Sequence, residues 1–176
     1  MWGAVFSALV TFCEGKMIAL KALEIAKMCK GLGEIHGVTN KGPFIELVRG
    51  DDVVAPWCAA FVCWCFERAN MGEAPLFKRD HFALKLHDNL LEIGAYVPSH
   101  PMPGDLIFWY RKKSNLEKGH VGIVESYDGE NVVVIEGNHP PTPSFVKSYS
   151  YNYSELLNRE WGGDNHLFKA VLRLPS

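Results

Sequence analysis

The sequence has no surplus of either charge. Its 176 residues carry 18 Lys and Arg against 20 Asp and Glu, a net charge of −2. No broad basic field is therefore available for nucleic acid or an anionic polymer. A run of apolar residues long enough to cross a bilayer is also missing, since the apolar stretch from Trp2 to Phe12 is too short. That stretch has no positively charged lead-in, and Val10-Thr11-Phe12-Cys13 offers no small-residue cleavage site. Without the marks of a secretory leader, synthesis in the cytoplasm is the expectation, and an extracellular target would be reached after release or delivery. The five cysteines are odd in number and irregularly spaced, which argues against a disulfide framework and for a reducing compartment. No internal repeat and no second domain show in the pattern.

What is present is an ordinary globular composition, 48% hydrophobic and 22% charged, in a chain large enough to bury one proper core. Residues 1–15 read as an N-terminal segment, docked or extended, ahead of a single domain over residues 16–176. Within that domain, Lys16 to Lys30 has apolar residues at helical spacing and stops at Gly31 and Gly33. Pro43 opens a short helix that Gly50 ends. A buried helix is expected from Trp57 to Ala69, and Asp80 as N-cap of a further one reaching Leu90 or Leu91. On that last helix Phe82, Leu86 and Leu90 share the inner side, and His81 and His87 read as surface or edge residues. After Pro98 the period changes. Leu106 to Tyr110, His120 to Tyr127, Asn131 to Glu136, Phe145 to Tyr151 and Phe168 to Leu174 read as strands. Arg111 to Gly119 reads as a basic loop, and Asp128-Gly129 as a hairpin turn. Helices first and a meander of about five strands afterwards predict an α+β fold, with helices packed on one side of an antiparallel sheet.

The chemistry gathers around Pro56-Trp57-Cys58-Ala59-Ala60-Phe61-Val62. Cys58 falls in the first turn of the buried helix, where unpaired N–H groups and the positive end of the helix dipole favour a thiolate. Such a nucleophile needs an imidazole base and a group to orient it. His120 stands at the start of the second strand. Placing the turn at 128–129 sets Glu136 directly across the ladder from it, close enough for a ring N–H to meet a carboxylate. Asn138 follows as a further polar group. Cys29, Cys63 and Cys65 read as core residues, because two cysteines two apart on a helix point in different directions and make a poor chelate. Asp51 and Asp52 read as a solvated turn, since calcium requires six to eight oxygens at spaced positions.

Four blocks in order resemble the CHAP family, the cysteine, histidine-dependent amidohydrolases/peptidases of the papain-like superfamily. They are Pro56 to Val62, Pro103-Gly104-Asp105-Leu106-Ile107-Phe108, Gly119-His120-Val121-Gly122-Ile123-Val124 and Glu136-Gly137-Asn138. The likeness runs from about Lys16 to Leu174 and is closest to compact, phage-associated members. It implies a papain-like fold, Cys58 as nucleophile, His120 as base, Glu136 as orienting acid and Asn138 as an accessory group. The implied substrate is an amide bond of peptidoglycan, cut by an amidase or an endopeptidase. No cofactor is implied, and no metal carries over, because the acidic calcium loop of some members is not reproduced before Cys58. Trp57, Trp109 and Tyr110 are candidate substrate-groove residues, with Trp109 open between groove and core. Partners such as a holin, a secretion apparatus or an immunity protein leave no mark in the sequence. Two other readings stand beside this one: a catalytically silent module of a phage or secretion apparatus, and an acyltransferase or protein protease on the same scaffold.

Overall fold

The structure, a computed structural model, describes residues 2–71, 73–111, 119–158 and 166–175. Four helices come first: α1 (Trp2–Met28), α2 (Pro43–Arg49), α3 (Cys58–Ala69) and α4 (Ala83–Glu92). The strands β1 (Leu106–Arg111), β2 (Gly119–Tyr127), β3 (Asn131–Glu136) and β4 (Lys147–Asn152) follow, then the short α5 (Tyr153–Leu157) and β5 (His166–Leu172). The sheet runs β4-β3-β2-β1-β5 with every neighbouring pair antiparallel. It is the expected meander, with the last strand returning to the β1 edge.

Alternation along the strands gives the sheet two different faces. Phe108, Val121, Ile123 and Ile135 point toward the helices and share a core with Leu23, Phe61, Phe66 and Leu86. Ile107, Trp109, Val124 and Val134 point the other way and pack with Tyr151, and with Leu156 of α5. The α3 helix is buried on most of its circumference because it is sandwiched between α1, α2 and the sheet. Cys63 and Cys65 lie within that packing, and burial pushes the Cys63 thiol up to about 12 and the Cys65 thiol well above its ordinary value.

Four local expectations are corrected. The helix expected from Lys16 begins at Trp2, so the preceding stretch is helical rather than extended. Among the described residues, no helix is long and apolar enough to cross a membrane. Phe82, not Asp80, is the N-cap of α4. The Asp80 carboxylate instead accepts from the Phe82 N–H at 2.8 Å, a side-chain turn just ahead of the helix, and Phe82 itself is exposed. His87 is buried edge-on against Phe108, with ring centroids 5.3 Å apart, so the α4 stripe that faces the sheet includes an imidazole. The basic loop expected after Arg111 falls at 112–118, outside the described residues.

The β2–β3 register also differs from expectation. Ile123 pairs with Ile135 and Val124 with Val134, while Ser126 pairs with Val133, so Glu125 is an extra residue in the ladder. The turn is wider than two residues: Asp128 N–H donates to the Asn131 carbonyl at 3.2 Å, and its carboxylate accepts from Glu130 and Asn131 N–H. Continued along the strands, this register sets Glu136 opposite Gly122. It places His120 and Glu136 diagonally on the sheet face turned away from the helices.

Candidate active site

Cys58 is the first residue of α3, with Trp57 as N-cap and no side chain capping the helix mouth. The N–H groups of the first turn are therefore left for other partners. The loop that delivers it is fixed from below by Arg49, which is buried. Its Nε donates to Asp51 at 2.8 Å and its Nη1 to the Pro56 carbonyl at 3.0 Å. Arg79 in turn donates to the carbonyls of Val48 and Arg49. Asp51, about a third exposed, pairs with Arg49 from the turn, and Asp52 beside it is exposed. The Asp51 carboxylate is held below its usual range: partial burial opposes this, and the Arg49 hydrogen bond and the Val53 N–H outweigh the burial.

Trp57 is fully buried. Its indole stacks edge-on with Phe44 and Phe61, and its Nε1–H donates to Glu34 at 3.3 Å. The far side of the ring presses on the backbone at Gly137, where a Cβ would lie 2.3 Å from the ring. Trp57 therefore joins the helix mouth to the end of β3 and is sealed from any groove. Glu34, buried as well, also accepts from the backbone N–H groups of Asn40 and Ser144, each at 2.8 Å. One carboxylate so ties three loops around residue 57.

The imidazole of His120 sits between the thiol and the acid. Its Nε2 is 2.7 Å from Glu136 Oε2, which leaves Nδ1 as the ring nitrogen for the sulfur. Glu136 has no exposed surface, and its other oxygen accepts from the Tyr151 hydroxyl at 2.5 Å. Gly122 makes this reach possible, since a Cβ there would stand 2.7 Å from Glu136 Cγ. Trp109, the direct cross-strand partner of His120, lies 5.6 Å from the ring and packs edge-on with Tyr151. With 1% of its surface exposed, Trp109 belongs to the wall that steadies the imidazole and not to a groove. Tyr110 is half-buried on β1. Asn138 is half-buried in a left-handed turn, φ 62°, two residues beyond the acid.

The electrostatics follow from this arrangement. Burial alone would push the Cys58 thiol up. The charge of His120, the hydrogen bond from its ring, and the N–H groups of Val121 and Ala59 outweigh it, leaving the thiol below its ordinary range. For His120, burial acts downward; the Cys58 sulfur, through charge and hydrogen bond, and then the Glu136 carboxylate raise it well above a free imidazole. Both shifts act toward a thiolate beside an imidazolium. Tyr151 is raised by burial and by the neighbouring Glu136 charge, so it stays a hydroxyl donor. Cys58 keeps 3% of its surface exposed and His120 8%, so the pair is almost fully buried.

The structure brings Cys58, His120 and Glu136 together and leaves Trp57 and Trp109 inside the fold. Sequence reasoning did not single out Arg49, Glu34, Tyr151 or His139. Of these, Tyr151 carried a local signal, as the alternate partner of Tyr149 on one strand face. Arg49 and His139 meet partners close in sequence, Asp51 and Pro56 for the first and Glu136 and Pro140 for the second. Glu34 reaches as far as Ser144. Among the described residues, no group of three or more His, Cys, Asp or Glu is placed to hold a metal ion.

The CHAP domain family model matches residues 50–138, half of the chain, a span that holds Cys58, His120 and Glu136. No curated protein matches the sequence. Among solved structures, the chain is similar to the crystal structure of Ly7917, with a TM-score of 0.56 at 16% identity over 89% of this chain and 62% of that one. It is also similar to Ly7917 with the hydrolyzing product of MDP, with a TM-score of 0.57 at 16% identity over 90% of this chain and 63% of that one. The likeness is one of fold, and this chain spans less than two thirds of either neighbour.

Proposed function

The chain belongs to the CHAP domain family, and from that premise we propose that it hydrolyses an amide bond of bacterial peptidoglycan through a thioester on Cys58. The observation that carries the reading is the continuous line from the Cys58 sulfur through the His120 ring to Glu136. The neighbour solved with the hydrolyzing product of MDP supports the same substrate class.

The mechanism follows from the geometry. The Cys58 thiolate attacks the amide carbonyl, and the carbon becomes tetrahedral. The oxygen takes up negative charge and is met by backbone N–H groups at the mouth of α3, that of Cys58 included. The His120 imidazolium gives the proton on its sulfur-facing nitrogen to the departing amine, the C–N bond breaks, and the acyl group remains on sulfur. His120, now neutral, takes a proton from water as the hydroxide attacks the thioester. The acid leaves, and the thiolate–imidazolium pair is restored. Glu136 holds the ring in the orientation that serves both steps and stabilises its positive form. The Tyr151 hydroxyl fixes the carboxylate in turn. Synthesis in the cytoplasm, with action on the wall after release or delivery, belongs to the same proposal.

The test is clearing of purified peptidoglycan followed by mass spectrometry of the fragments. Cys58→Ala, with its fold intact, is expected to abolish clearing; full clearing by that variant would falsify the reading. Lactyl ends freed of peptide identify an amidase, and new amino termini within the stem or cross-bridge identify an endopeptidase. If the parent protein leaves every wall preparation intact, a silent structural module becomes the better account.

A further inference from the structure

Trp57 and Trp109 are sealed inside the fold, so the apolar groups that meet a substrate lie elsewhere. One position breaks a local rule. Phe82 is the N-cap of α4, with an extended backbone and no side-chain bond to the helix mouth. A cap without a hydrogen-bonding side chain forgoes part of the helix's stability, and the Phe82 ring is about half exposed besides. The residue therefore serves neither the helix nor the core, and departures of that kind gather at functional sites.

Its surroundings place it beside the reacting pair. His81 Nδ1 lies 3.6 Å from the Asp51 carboxylate, which also accepts from the Val53 N–H at 3.2 Å on the loop leading to Cys58. Three residues after His81, Leu84 touches the strand that carries the imidazole, since a Cβ at Gly119 would stand 2.8 Å from Leu84 Cδ2. Three residues reach at most about 11 Å. The segment 81–84 therefore bridges the sulfur's loop and the imidazole's strand across a short gap, with Phe82 between them. On the loop side, Val53 and Val54 are likewise about half exposed. Their β-branched side chains are stiff, so little freedom is lost when something packs on them.

The chemistry of this rim selects its occupant. Val53, Val54, Phe82 and the half-buried Leu84 bring no hydrogen-bonding side chain. A sugar ring pressed against them would leave hydroxyls without partners, which is costly, whereas methyl groups would gain from the contact. Charged groups stand at the margins: Asp52, exposed, beside Val53, and Lys85, whose Nζ lies 5.1 Å from the centre of the Phe82 ring.

We propose that Val53, Val54 and Phe82 form the specificity rim of this site and seat the methyl side chains of a short peptide, the alanine-bearing arm of the wall polymer rather than its glycan. The naming of that polymer rests on the peptidoglycan reading; the rim itself is tested through Cys58.

The test compares reagents for the Cys58 thiolate in the full chain, read by mass spectrometry on the peptide that contains it. In each case the sulfur displaces a halide ion and forms a thioether. Iodoacetamide, too small to need the rim, sets the reference rate at a pH above its acid limb. Acetyl-alanyl-alanine and acetyl-glycyl-glycine chloromethyl ketones differ by two methyl groups, and each rate is divided by that of free glutathione. Burying a methyl is worth about fourfold, so the parent is expected to favour the alanyl reagent by about tenfold. Val54→Ser and Phe82→Ser are expected to lose most of that preference and to keep the iodoacetamide rate. A parent without the preference, or folded variants that retain it, would overturn the proposal. The parent's ratio decides even if a variant fails to fold. Protection of Cys58 by an N-acetylglucosamine tetramer, lost in the same variants, would also overturn it by giving the rim to the glycan. If wall clearing fails while the preference holds, the peptidoglycan reading falls and the peptide seat remains.

Discussion

Glu136 stands opposite Gly122, two residues along the strand from His120, and reaches the imidazole on a diagonal across an empty position. The missing side chain is what lets the carboxylate stem lie over β2, because a Cβ at Gly122 would come within 2.5 Å of Val134 Cγ1 and 2.7 Å of Glu136 Cγ. Gly122→Ala is therefore expected to push the acid away from the ring while the nucleophile stays in place. Overpacking of this kind costs about 1–3 kcal/mol of stability, and a misplacement near 1 Å costs about a hundredfold in rate. Clearing rates and urea melts of the variant measure the two effects separately. Unchanged activity would mean that the diagonal contact does not matter.

Removing the base should hurt more than removing the group that orients it. His120→Ala takes away both the proton donor and the counter-charge of the thiolate. Glu136→Gln leaves an amide that still meets the ring but cannot stabilise its positive form. Both variants are expected to lose activity, His120→Ala by the larger factor. Tyr151→Phe deprives a fully buried carboxylate oxygen of its donor, at about 1–3 kcal/mol, and is expected to fall closer to the parent than either. Initial clearing rates at matched concentrations give the order.

The thiol of Cys58 depends on its neighbour for its low range. With the pair intact, activity needs the thiolate and the protonated His120 together. It is expected to fall on the acid side as the thiolate takes a proton, and on the alkaline side as His120 loses one. Replacing His120 by Ala leaves only burial and the backbone N–H groups to act on the sulfur. Its alkylation limb should then move up toward that of an ordinary or buried thiol, where Cys63 and Cys65 already stand. A limb that does not move would show that the backbone N–H groups alone hold the thiolate.

Arg49 supplies a fixed cation beneath the loop that presents the nucleophile. Arg49→Ala frees the Pro56 carbonyl and the Asp51 carboxylate together, and is expected to cost about 2 kcal/mol in a denaturant titration. Because a guanidinium already satisfies Asp51, exhaustive treatment with a chelator is expected to leave clearing unchanged. Loss of activity on chelation, with recovery on adding calcium, would refute that.

The helix carrying the thiol, the order of the strands and the α+β class were legible because each rests on local signals: a Pro and an N-terminal turn before a long apolar run, and period-two alternation between turns. The thiol, the imidazole and the acid were legible as a group because each sits at the end of such an element. Their exact pairing was not. The turn closes on Tyr127 and Val132, which alone would set Glu136 opposite Ile123; the bulge at Glu125 brings it back one residue, opposite Gly122 and diagonal to His120. Nor could the aromatic residues be sorted between wall and groove. Trp57 and Trp109 are buried by residues distant in sequence, Phe44 and Gly137 for the first and Tyr151 for the second. Glu34 escaped notice for the same reason, since its partners Trp57 and Ser144 arrive only with the fold.

Every helix that presents the sulfur precedes Pro98, and every strand that presents the imidazole and the acid follows it. The site therefore comes into being only where two halves of the polypeptide meet. Cutting the chain in the turn around His100 would yield two fragments, each inert alone, that recover activity on docking. The architecture thus lends itself to a two-piece reporter, switched on by whatever draws the fragments together.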